Sequence, residues 1–431
     1  MRERSPSDNS KCMIADGDLA THPAESVLLI VQSKIRNQKS KIASAFLLAL
    51  FVTNVAAQTT ATIHRSDGRI EKIRLADVQF EPPDKGLIRG LVSDRVVEYR
   101  PDELWQIEFG AERVARGSAE QLWLNDGTRL AGQLVQWIPS QRALTWTDLF
   151  RTVNLSEDAI VGLTRGYPPP SRLPVGVAGK DALYTSDGDR LMGRLLRIEN
   201  DDFAFRSELG NITCARQKVA AFTITPKSES RNPQSESAWV LEFANGDRVW
   251  TRSWGIDAGR LRCAVGGGTP TAPSAFLRRA IHLGPRVQVF SKTQPQHFTM
   301  NPLLAGTRAI LVDRGPENRP LRIGEHEYLF GLFLRPECEM EYALADDSEF
   351  FLADLGLASD VAREAGSARA MFALGDAPWK TYDLAQVSQP VSIALGLSGS
   401  KQLRIRIEAA DDWGCGAHVV LGEPVLIKKQ K

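Results

Sequence analysis

The chain has 431 residues, which is longer than one compact domain and predicts about two to four of them. Its formal net charge is +1, with 24% charged and 43% hydrophobic residues, an ordinary composition for a folded protein. A nucleic-acid-binding protein needs a basic surface that neutralises phosphates, and so balanced a charge excludes that class. We therefore expect no nucleic-acid partner.

A basic stretch followed by an apolar run marks the N-terminal region. The apolar run spans residues 42–57 and ends in small residues, and four basic residues precede it: Lys34, Arg36, Lys39 and Lys41. This order is typical of a secretory signal peptide, and the run is short for a membrane span. We expect residues 1–57 to be a leader cleaved between Ala57 and Gln58, with the true translation start near residues 27–31. The mature protein is then exported to the periplasm, cell surface or outside, without a stable transmembrane span.

The middle of the chain contains an internal repeat. An Asp-Gly or Asn-Gly dipeptide recurs with its glycine at Gly68, Gly127, Gly188 and Gly246, in steps of 59, 61 and 58 residues. Each dipeptide lies between short runs in which apolar and polar residues alternate, a pattern that predicts a β-hairpin with a tight turn. We predict four small antiparallel β units, similar in layout to SH3-like or Sm-like barrels. They occupy residues 58–112, 117–166, 180–226 and 237–290, and Pro- and Ser-rich linkers separate the later units.

In the last domain, residues 297–428, apolar and charged residues alternate with a period of two. The alternation is clearest in one run: Leu403, Arg404, Ile405, Arg406, Ile407 and Glu408. Turn residues separate such runs at short intervals, which predicts an antiparallel jelly-roll β-sandwich. The whole chain is therefore expected to be all-β.

The same domain resembles the NPCBM family of carbohydrate-binding modules, which are found beside glycoside hydrolase domains, including those of family 98. The motifs that carry the resemblance occupy residues 318–324, 328–334, 341–344, 350–357, 370–376, 391–399, 401–407 and 418–426. The family pattern Gly-aliphatic-Gly-x-His becomes Gly331-Leu-Phe-Leu-Arg335 here, so Phe333 and Arg335 replace Gly and His. The resemblance implies a galactose-binding-like sandwich that binds polysaccharide or glycoprotein glycans.

Sugar binding requires a flat aromatic surface and a few polar groups that bind hydroxyls. Trp379 and Trp413 lie in predicted loops, and His418 and Arg335 lie at positions of the family motifs. We predict a shallow loop site made by these four residues, although a buried tryptophan in the sandwich is the alternative for each ring. The seven tryptophans of the repeats are expected in the core: Trp105, Trp123, Trp137, Trp146, Trp239, Trp250 and Trp254.

Two further pairings are candidates in the sandwich. Paired carboxylates at Asp346–Asp347 and Asp411–Asp412 are candidate calcium ligands, because calcium prefers carboxylate and carbonyl oxygens in loops. No other cofactor is expected. Cys338 and Cys415 are a candidate disulfide, with two free thiols as the alternative.

The sequence lacks a complete catalytic template. Gly396-Leu-Ser-Gly-Ser400 misses the last glycine of a nucleophile elbow, and the segment that begins at His326-Glu lacks the second histidine of a zinc protease. We therefore expect an exported, non-catalytic carbohydrate-binding protein and not an enzyme. The alternative is a structural or protein-interaction component of the cell envelope that binds no sugar.

Overall fold

The protein is described from a computed structural model. The structure describes residues 60–80, 86–93, 95–111, 120–138, 143–148, 151–166, 173–174, 179–199, 202–225, 238–266, 268–300, 310–359, 366–385, 389–397, 399–410 and 416–430. All of them belong to one compact unit, Ala56–Lys431. Within these ranges the strands are antiparallel and the only helices are single 3-10 turns, so the predicted all-β class is confirmed. No helix in this described part is long and apolar enough to cross a membrane.

Each repeat is built from five strands, except the fourth, which has six. Repeat 1 contains β1 (Thr60–Arg65), β2 (Ile70–Phe80), β3 (Leu87–Val92), β4 (Arg95–Tyr99) and β5 (Leu104–Glu108). Repeat 2 contains β6 (Glu120–Leu124), β7 (Arg129–Ile138), β8 (Ala143–Asp148), β9 (Arg151–Ser156) and β10 (Ile160–Arg165). Repeat 3 contains β11 (Asp181–Thr185), β12 (Arg190–Glu199), β13 (Asp202–Ser207), β14 (Gly210–Ala215) and β15 (Val219–Thr223). Repeat 4 contains β16 (Ala238–Phe243), β17 (Arg248–Thr251), β18 (Trp254–Asp257), β19 (Arg260–Cys263), β20 (Thr271–Pro273) and β21 (Leu277–Leu283).

The strands of each repeat form a meander whose last strand returns to the first. A 3-10 turn precedes each last strand, at Pro101–Glu103, Glu157–Ala159, Arg216–Lys218 and Ser274–Phe276. The last strand then pairs with the first, as β5 with β1, β10 with β6, β15 with β11 and β21 with β16. In repeat 1 the strand order is therefore β4-β3-β2-β1-β5, an antiparallel layout similar to the small SH3-like unit that the hairpin spacing predicts.

The four Gly turns connect the first two strands of the repeats as predicted. Gly68, Gly127, Gly188 and Gly246 have φ values of +80°, +91°, +92° and +87°, the left-handed region that a side chain disfavours. In each turn the glycine N–H donates to the carbonyl three residues earlier, for example Gly127 N to Leu124 O at 3.1 Å. The backbone N–H of the residue two positions before the glycine donates to the last carbonyl of the 3-10 turn in the same repeat. This bond holds the hairpin against the last strand.

Two of these glycines provide a matched test of packing at the turn. A Cβ built on Gly127 would lie 2.9 Å from Trp250 Nε1, whereas one on Gly188 would meet no atom within 4 Å. Gly188→Ala should therefore cost only the left-handed backbone strain, about 1–2 kcal/mol of the free energy of unfolding. Gly127→Ala should cost about 1–3 kcal/mol more because of overpacking. Urea unfolding of both variants measures the difference, and equal losses would contradict this docking of the turn on Trp250.

The repeats pair with one another and do not form a chain of independent units. Strands β5 and β21 join repeats 1 and 4, and strands β10 and β15 join repeats 2 and 3. The two pairs meet where Arg129 of β7 lies opposite Arg248 of β17. One buried hydrophobic core includes residues of all four repeats. Six of the seven repeat tryptophans are buried as predicted, and Trp123 is half-buried, with its Nε1 donating to Thr164 Oγ1 at 3.2 Å.

The sandwich has two main sheets and a short hairpin. The back sheet has the strand order β24 (Ile310–Val312), β27 (Gly331–Leu334), β34 (Val419–Lys428), β29 (Ser348–Leu357) and β32 (Val391–Gly396), with β22 (Val287–Val289) also paired to β34. The front sheet has the order β23 (His297–Met300), β28 (Cys338–Ala343), β33 (Gln402–Ala409), β30 (Ala368–Leu374) and β31 (Lys380–Leu384). The hairpin consists of β25 (Leu321–Ile323) and β26 (His326–Tyr328), and further 3-10 turns lie at Phe290–Lys292 and Pro316–Asn318.

The alternation predicted for residues 403–408 is confirmed. Leu403, Ile405 and Ile407 are fully buried between the two sheets, while Arg404 and Arg406 lie on the outer face of the front sheet. One further strand of the back sheet comes from the range predicted for the fourth repeat. Val287–Val289, within the range assigned to the fourth repeat, pairs with β34 because its backbone groups complete the edge of the back sheet beside that strand.

Part of the outer face of the back sheet is buried against the repeats. Four apolar residues of the sandwich pack there against four of the repeats: Phe330, Leu352, Val425 and Ile427 against Trp105, Trp250, Ile281 and Leu283. Beside them lies the interface charge cluster, which consists of Arg129, Arg248, Arg279 and Glu242 from the repeats and Glu327 and Glu423 from the sandwich. All six of these side chains are buried. The repeats and the sandwich therefore share one desolvated interface.

Candidate functional site

Two of the predicted site residues lie side by side at one end of the back sheet. Arg335 follows β27 and His418 precedes β34, and these strands pair with Leu334 opposite Val419. The antiparallel register therefore brings Arg335 opposite His418. The other residues predicted near this end, Trp413 with Asp411, Asp412 and Cys415, lie outside the described residues.

His418 is held on the outer face of the back sheet by ring stacking. Its imidazole lies on Phe333, with ring centroids 5.2 Å apart and planes inclined by 24°. Phe333 is itself fully buried in an apolar patch with Val420 and Tyr328, which belong to β34 and the short hairpin. The His418 carbonyl accepts a hydrogen bond from Ala358 N at 2.9 Å. The residue that replaces glycine in the family pattern, Phe333, thus forms the floor under the histidine.

The electrostatics of this pair favour a neutral histidine beside a charged arginine. Burial lowers the pKa of His418, and the positive charge of Arg335 lowers it further. His418 Nδ1 and Arg335 Nε are both buried and have no hydrogen-bond partner among the described residues. Both side chains are only half-buried, so other parts of each remain accessible to a polar ligand group. We refer to these two residues as the Arg335–His418 pair.

Trp379 lies on the other sheet. It precedes β31 and is half-buried, and the guanidinium groups of Arg404 and Arg406 lie 4.7 Å and 4.9 Å from its ring centroid. Glu339 of β28 accepts from both arginines, at 2.8 Å from Arg404 Nη2 and 2.6 Å from Arg406 Nη2. Partial burial acts to raise the pKa of Glu339, but the hydrogen bonds from Arg404 and Arg406 outweigh it and lower the pKa. Trp379, Arg404, Arg406 and Glu339 together form what we call the Trp379 platform.

The four residues predicted for one sugar site are therefore not all brought together. Arg335 and His418 lie on the outer side of the back sheet, and Trp379 lies on the outer face of the front sheet. The period-two alternation within β33 predicts that Arg404 and Arg406 lie on the solvent-facing side of the sheet, so the sequence indicates the position of these two residues. The sequence contains no signal that Trp379 lies over them, because β30 separates β31 from β33 in the sheet.

Of the candidate calcium ligands that the structure describes, Asp346 is exposed and Asp347 is half-buried, and both lie beside lysines. Asp346 forms an ion pair with Lys401, and the Asp347 carboxylate lies 4.0 Å from Lys428 Nζ. The part of the chain that is described contains no group of three His, Cys, Asp or Glu side chains placed to hold a metal ion. Calcium binding stays a prediction, since Asp411 and Asp412 lie outside that part.

Cys338 lies in β28 opposite Ile407 and is buried as a free thiol. Burial raises the pKa of this thiol to about 12, which keeps it protonated and unreactive. The bridge to Cys415 stays a prediction, because Cys415 is outside the described residues.

Comparisons with solved structures find several carbohydrate-binding modules at low identity. A CBM51 module from a family 95 glycoside hydrolase of Clostridium perfringens, in complex with methyl-galactose, has 17% identity and a TM-score of 0.29; the match covers 32% of this chain and 99% of that one. Tandem CBM51 modules of a family 98 glycoside hydrolase of Streptococcus pneumoniae have 9% identity and a TM-score of 0.30, over 85% of this chain and 88% of that one.

A third structure contains the second CBM51 module of a Clostridium perfringens protein in complex with GlcNAc, with 12% identity and a TM-score of 0.29. The match covers 40% of this chain and 39% of that one, so the chain spans less than half of that protein's length. No curated protein matches the chain. The family model of the NPCBM/NEW2 domain matches residues 291–427, the range that contains all but the first strand of the sandwich. This segment of the chain is therefore an NPCBM/NEW2 domain.

Proposed function

We propose that the protein is an exported, non-catalytic carbohydrate-binding protein that holds polysaccharide or glycoprotein glycans at the cell surface or in the periplasm. The observation that carries the proposal is the NPCBM/NEW2 match over residues 291–427, together with the position of the Arg335–His418 pair. These two half-buried residues lie side by side at an end of the sandwich, where their polar side chains can bind one ligand. The absence of a complete catalytic template in the sequence supports a binding role.

The Arg335–His418 pair has the donors that sugar recognition uses. A guanidinium carries five N–H donors in a planar fork, and a neutral imidazole carries one donor and one acceptor. Neighbouring hydroxyls of a sugar ring present both kinds of group, so one ring can bind both side chains. Hydrogen bonds that involve a charged group contribute about 1.5–3 kcal/mol, which makes Arg335 the stronger contact.

Trp413 supplies the aromatic surface in this proposal. It lies five residues before His418 in the sequence, in the segment that leads into β34. A ring that stacks on a sugar contributes about 0.5–1.5 kcal/mol beyond the area that it buries. Stacking by Trp413 and hydrogen bonding by Arg335 and His418 would together bind one sugar residue at this end.

A binding titration of an arginine variant tests the site. Glycan-array binding by the wild type identifies the strongest sugar, and Arg335→Gln should then weaken binding of that sugar about 10- to 100-fold, because it removes a charged donor. Arg319→Gln is the matched control, since Arg319 is an exposed arginine of the same domain that pairs with Glu317. Equal affinities of the wild type and Arg335→Gln would contradict this site.

Export is part of the proposal and has its own test. The residues before Gln58 have the pattern of a signal peptide, with small residues at the positions that signal peptidase reads. N-terminal sequencing of the exported protein should therefore begin at Gln58. Exported material that begins before residue 42 would contradict the predicted leader.

A structural role in the cell envelope is the second candidate function. It is favoured by the desolvated interface that joins the sandwich to the repeats, since such an interface suits a rigid spacer. In this case the protein would bind no sugar on a glycan array, and its contacts would be with other proteins.

A further inference from the structure

We propose that the Trp379 platform is a second carbohydrate site, separate from the Arg335–His418 pair, and that the sandwich binds two glycan chains at once. The inference rests on the proposed carbohydrate-binding function. Its ligand is a pyranose ring within a polysaccharide chain, which would stack on the indole of Trp379 and bind the adjacent guanidinium and carboxylate through its hydroxyls.

The backbone holds Trp379 flat against the front sheet. Phe372 pairs with Lys380, so the next position brings Trp379 beside Ala373, which in turn pairs with Arg404. Ala373 and Met371 are small or flexible residues on the outer face, and both are buried. Arg404 and Arg406 come from the same strand and the same face of the sheet, and both guanidinium groups lie over the indole, 4.7 Å and 4.9 Å from its ring centroid. The indole is only half-buried, so part of its surface is accessible to a ligand.

Glu339 orients the polar part of the platform. Arg404 donates to one Glu339 oxygen through Nε at 3.3 Å and Nη2 at 2.8 Å. Arg406 donates to the other oxygen through Nε at 2.8 Å and Nη2 at 2.6 Å. Both planar groups are thus fixed before any ligand binds, which reduces the entropy lost on binding. Arg404 Nη1 takes no part in these hydrogen bonds to Glu339, so it is the donor of this side chain that we expect a sugar hydroxyl to use.

Among the described residues, those that join the sandwich to the repeats come from the back sheet and the segments next to it, and not from the front sheet. Lys380 and Thr381, which follow Trp379 in the edge strand, are exposed. An extended chain can therefore lie across this sheet while a second chain binds at the end of the back sheet.

Affinity electrophoresis in native gels tests the two sites separately. The gels contain soluble arabinogalactan, xylan or mixed-linkage β-glucan, and retardation relative to a gel without polysaccharide reports binding. We expect Arg335→Gln to keep part of the retardation of the wild type in at least one gel. Adding Trp379→Ala to that variant should weaken the remaining binding about 2- to 10-fold. Arg369→Gln is the matched control, because it removes a charge from the same sheet face where Arg369 pairs with Asp383.

Each pattern of retardation has a defined meaning. If Arg335→Gln alone abolishes retardation, or if Trp379→Ala changes nothing in its background, the second site is overturned and the proposed function stands. If Trp379→Ala abolishes retardation and Arg335→Gln has no effect, the second site stands and the first is overturned. A wild type that no polysaccharide retards overturns both. Trp379→Phe separates binding from folding, since it keeps a stacking face and should retain both the melting temperature and most of the retardation.

Discussion

Arg279→Ala is expected to lower the free energy of unfolding by about 3–5 kcal/mol, because it leaves buried carboxylates without their counter-charge. Arg279 is buried and donates to Glu242 at 2.8 Å through Nε. It also donates to both oxygens of Glu423 at 2.7 Å through its two terminal nitrogens. Burial raises the pKa of Glu423 to about 7 although the charge of Arg279 opposes this change, so the variant should raise the pKa of Glu423 further.

Chemical unfolding measures this loss, and an exposed ion pair provides the control. Arg369 and Asp383 lie 3.0 Å apart with both side chains largely in water, so Arg369→Ala should cost at most about 1 kcal/mol. A similar small loss for Arg279→Ala would mean that water reaches the interface charge cluster. Replacing Arg279 and Glu423 together by apolar residues should restore part of the stability, because no buried charge of that pair then remains uncompensated.

Acidification from pH 6.5 to pH 4 is expected to cost about 3 kcal/mol of the free energy of unfolding through one residue, His282. Burial lowers the pKa of His282 from 6.5 to about 4, although a hydrogen bond to the backbone carbonyl of Leu104 opposes this change. The unfolded chain therefore binds a proton near pH 6.5 that the folded protein does not. The contribution of His282 is fully present well above pH 6.5, is lost progressively as the pH falls from about 6.5 to about 4, and does not change further below that pH.

Unfolding titrations of a phenylalanine variant isolate this contribution. The His282 ring stacks on Trp239 with centroids 4.6 Å apart, and His282→Phe keeps an aromatic ring in that place. The difference in unfolding free energy between the wild type and the variant should change by about 3 kcal/mol between pH 7 and pH 4. Carboxylates with low pKa values, such as Glu108 at about 2, act alike in both proteins over this range. A difference that does not depend on pH would show that His282 binds its proton equally well in the folded and unfolded states, and would contradict the lowered pKa.

The sequence predicted those parts of the fold that depend on local chain geometry. Gly127 and the other turn glycines have positive φ because the last residue of a three-residue hairpin loop adopts the left-handed conformation whatever surrounds the turn. The burial of Ile405 between Arg404 and Arg406 follows from the period of a strand. Each of these two patterns involves only residues that are close together in the chain, so a single sequence is sufficient to interpret it.

The parts that the sequence did not predict depend on contacts between distant segments. Arg129, Arg248 and Glu327 meet at the interface charge cluster from three different regions, and each one alone has the pattern of an exposed turn or strand residue. A position in a loop does not indicate on which side of a sandwich the residue lies. The sequence therefore does not separate Trp379 from Arg335 and His418. The pairing of repeats 1 and 4 and of repeats 2 and 3 likewise depends on which strand edges meet in three dimensions.

The buried contact between the back sheet and the repeats fixes the direction in which the sandwich faces. Binding modules joined by flexible linkers can turn toward their ligand, and they lose that freedom when they bind. Here Val425 and Ile427 are packed against Trp105 and Trp250, so the orientation is set when the chain folds. A mechanical force on a bound glycan would then be transmitted to the repeats through packed side chains and not through a flexible linker. The repeats would hold the NPCBM/NEW2 domain in a fixed orientation. Replacing this domain by another would then require changes in the residues of the repeats that contact it.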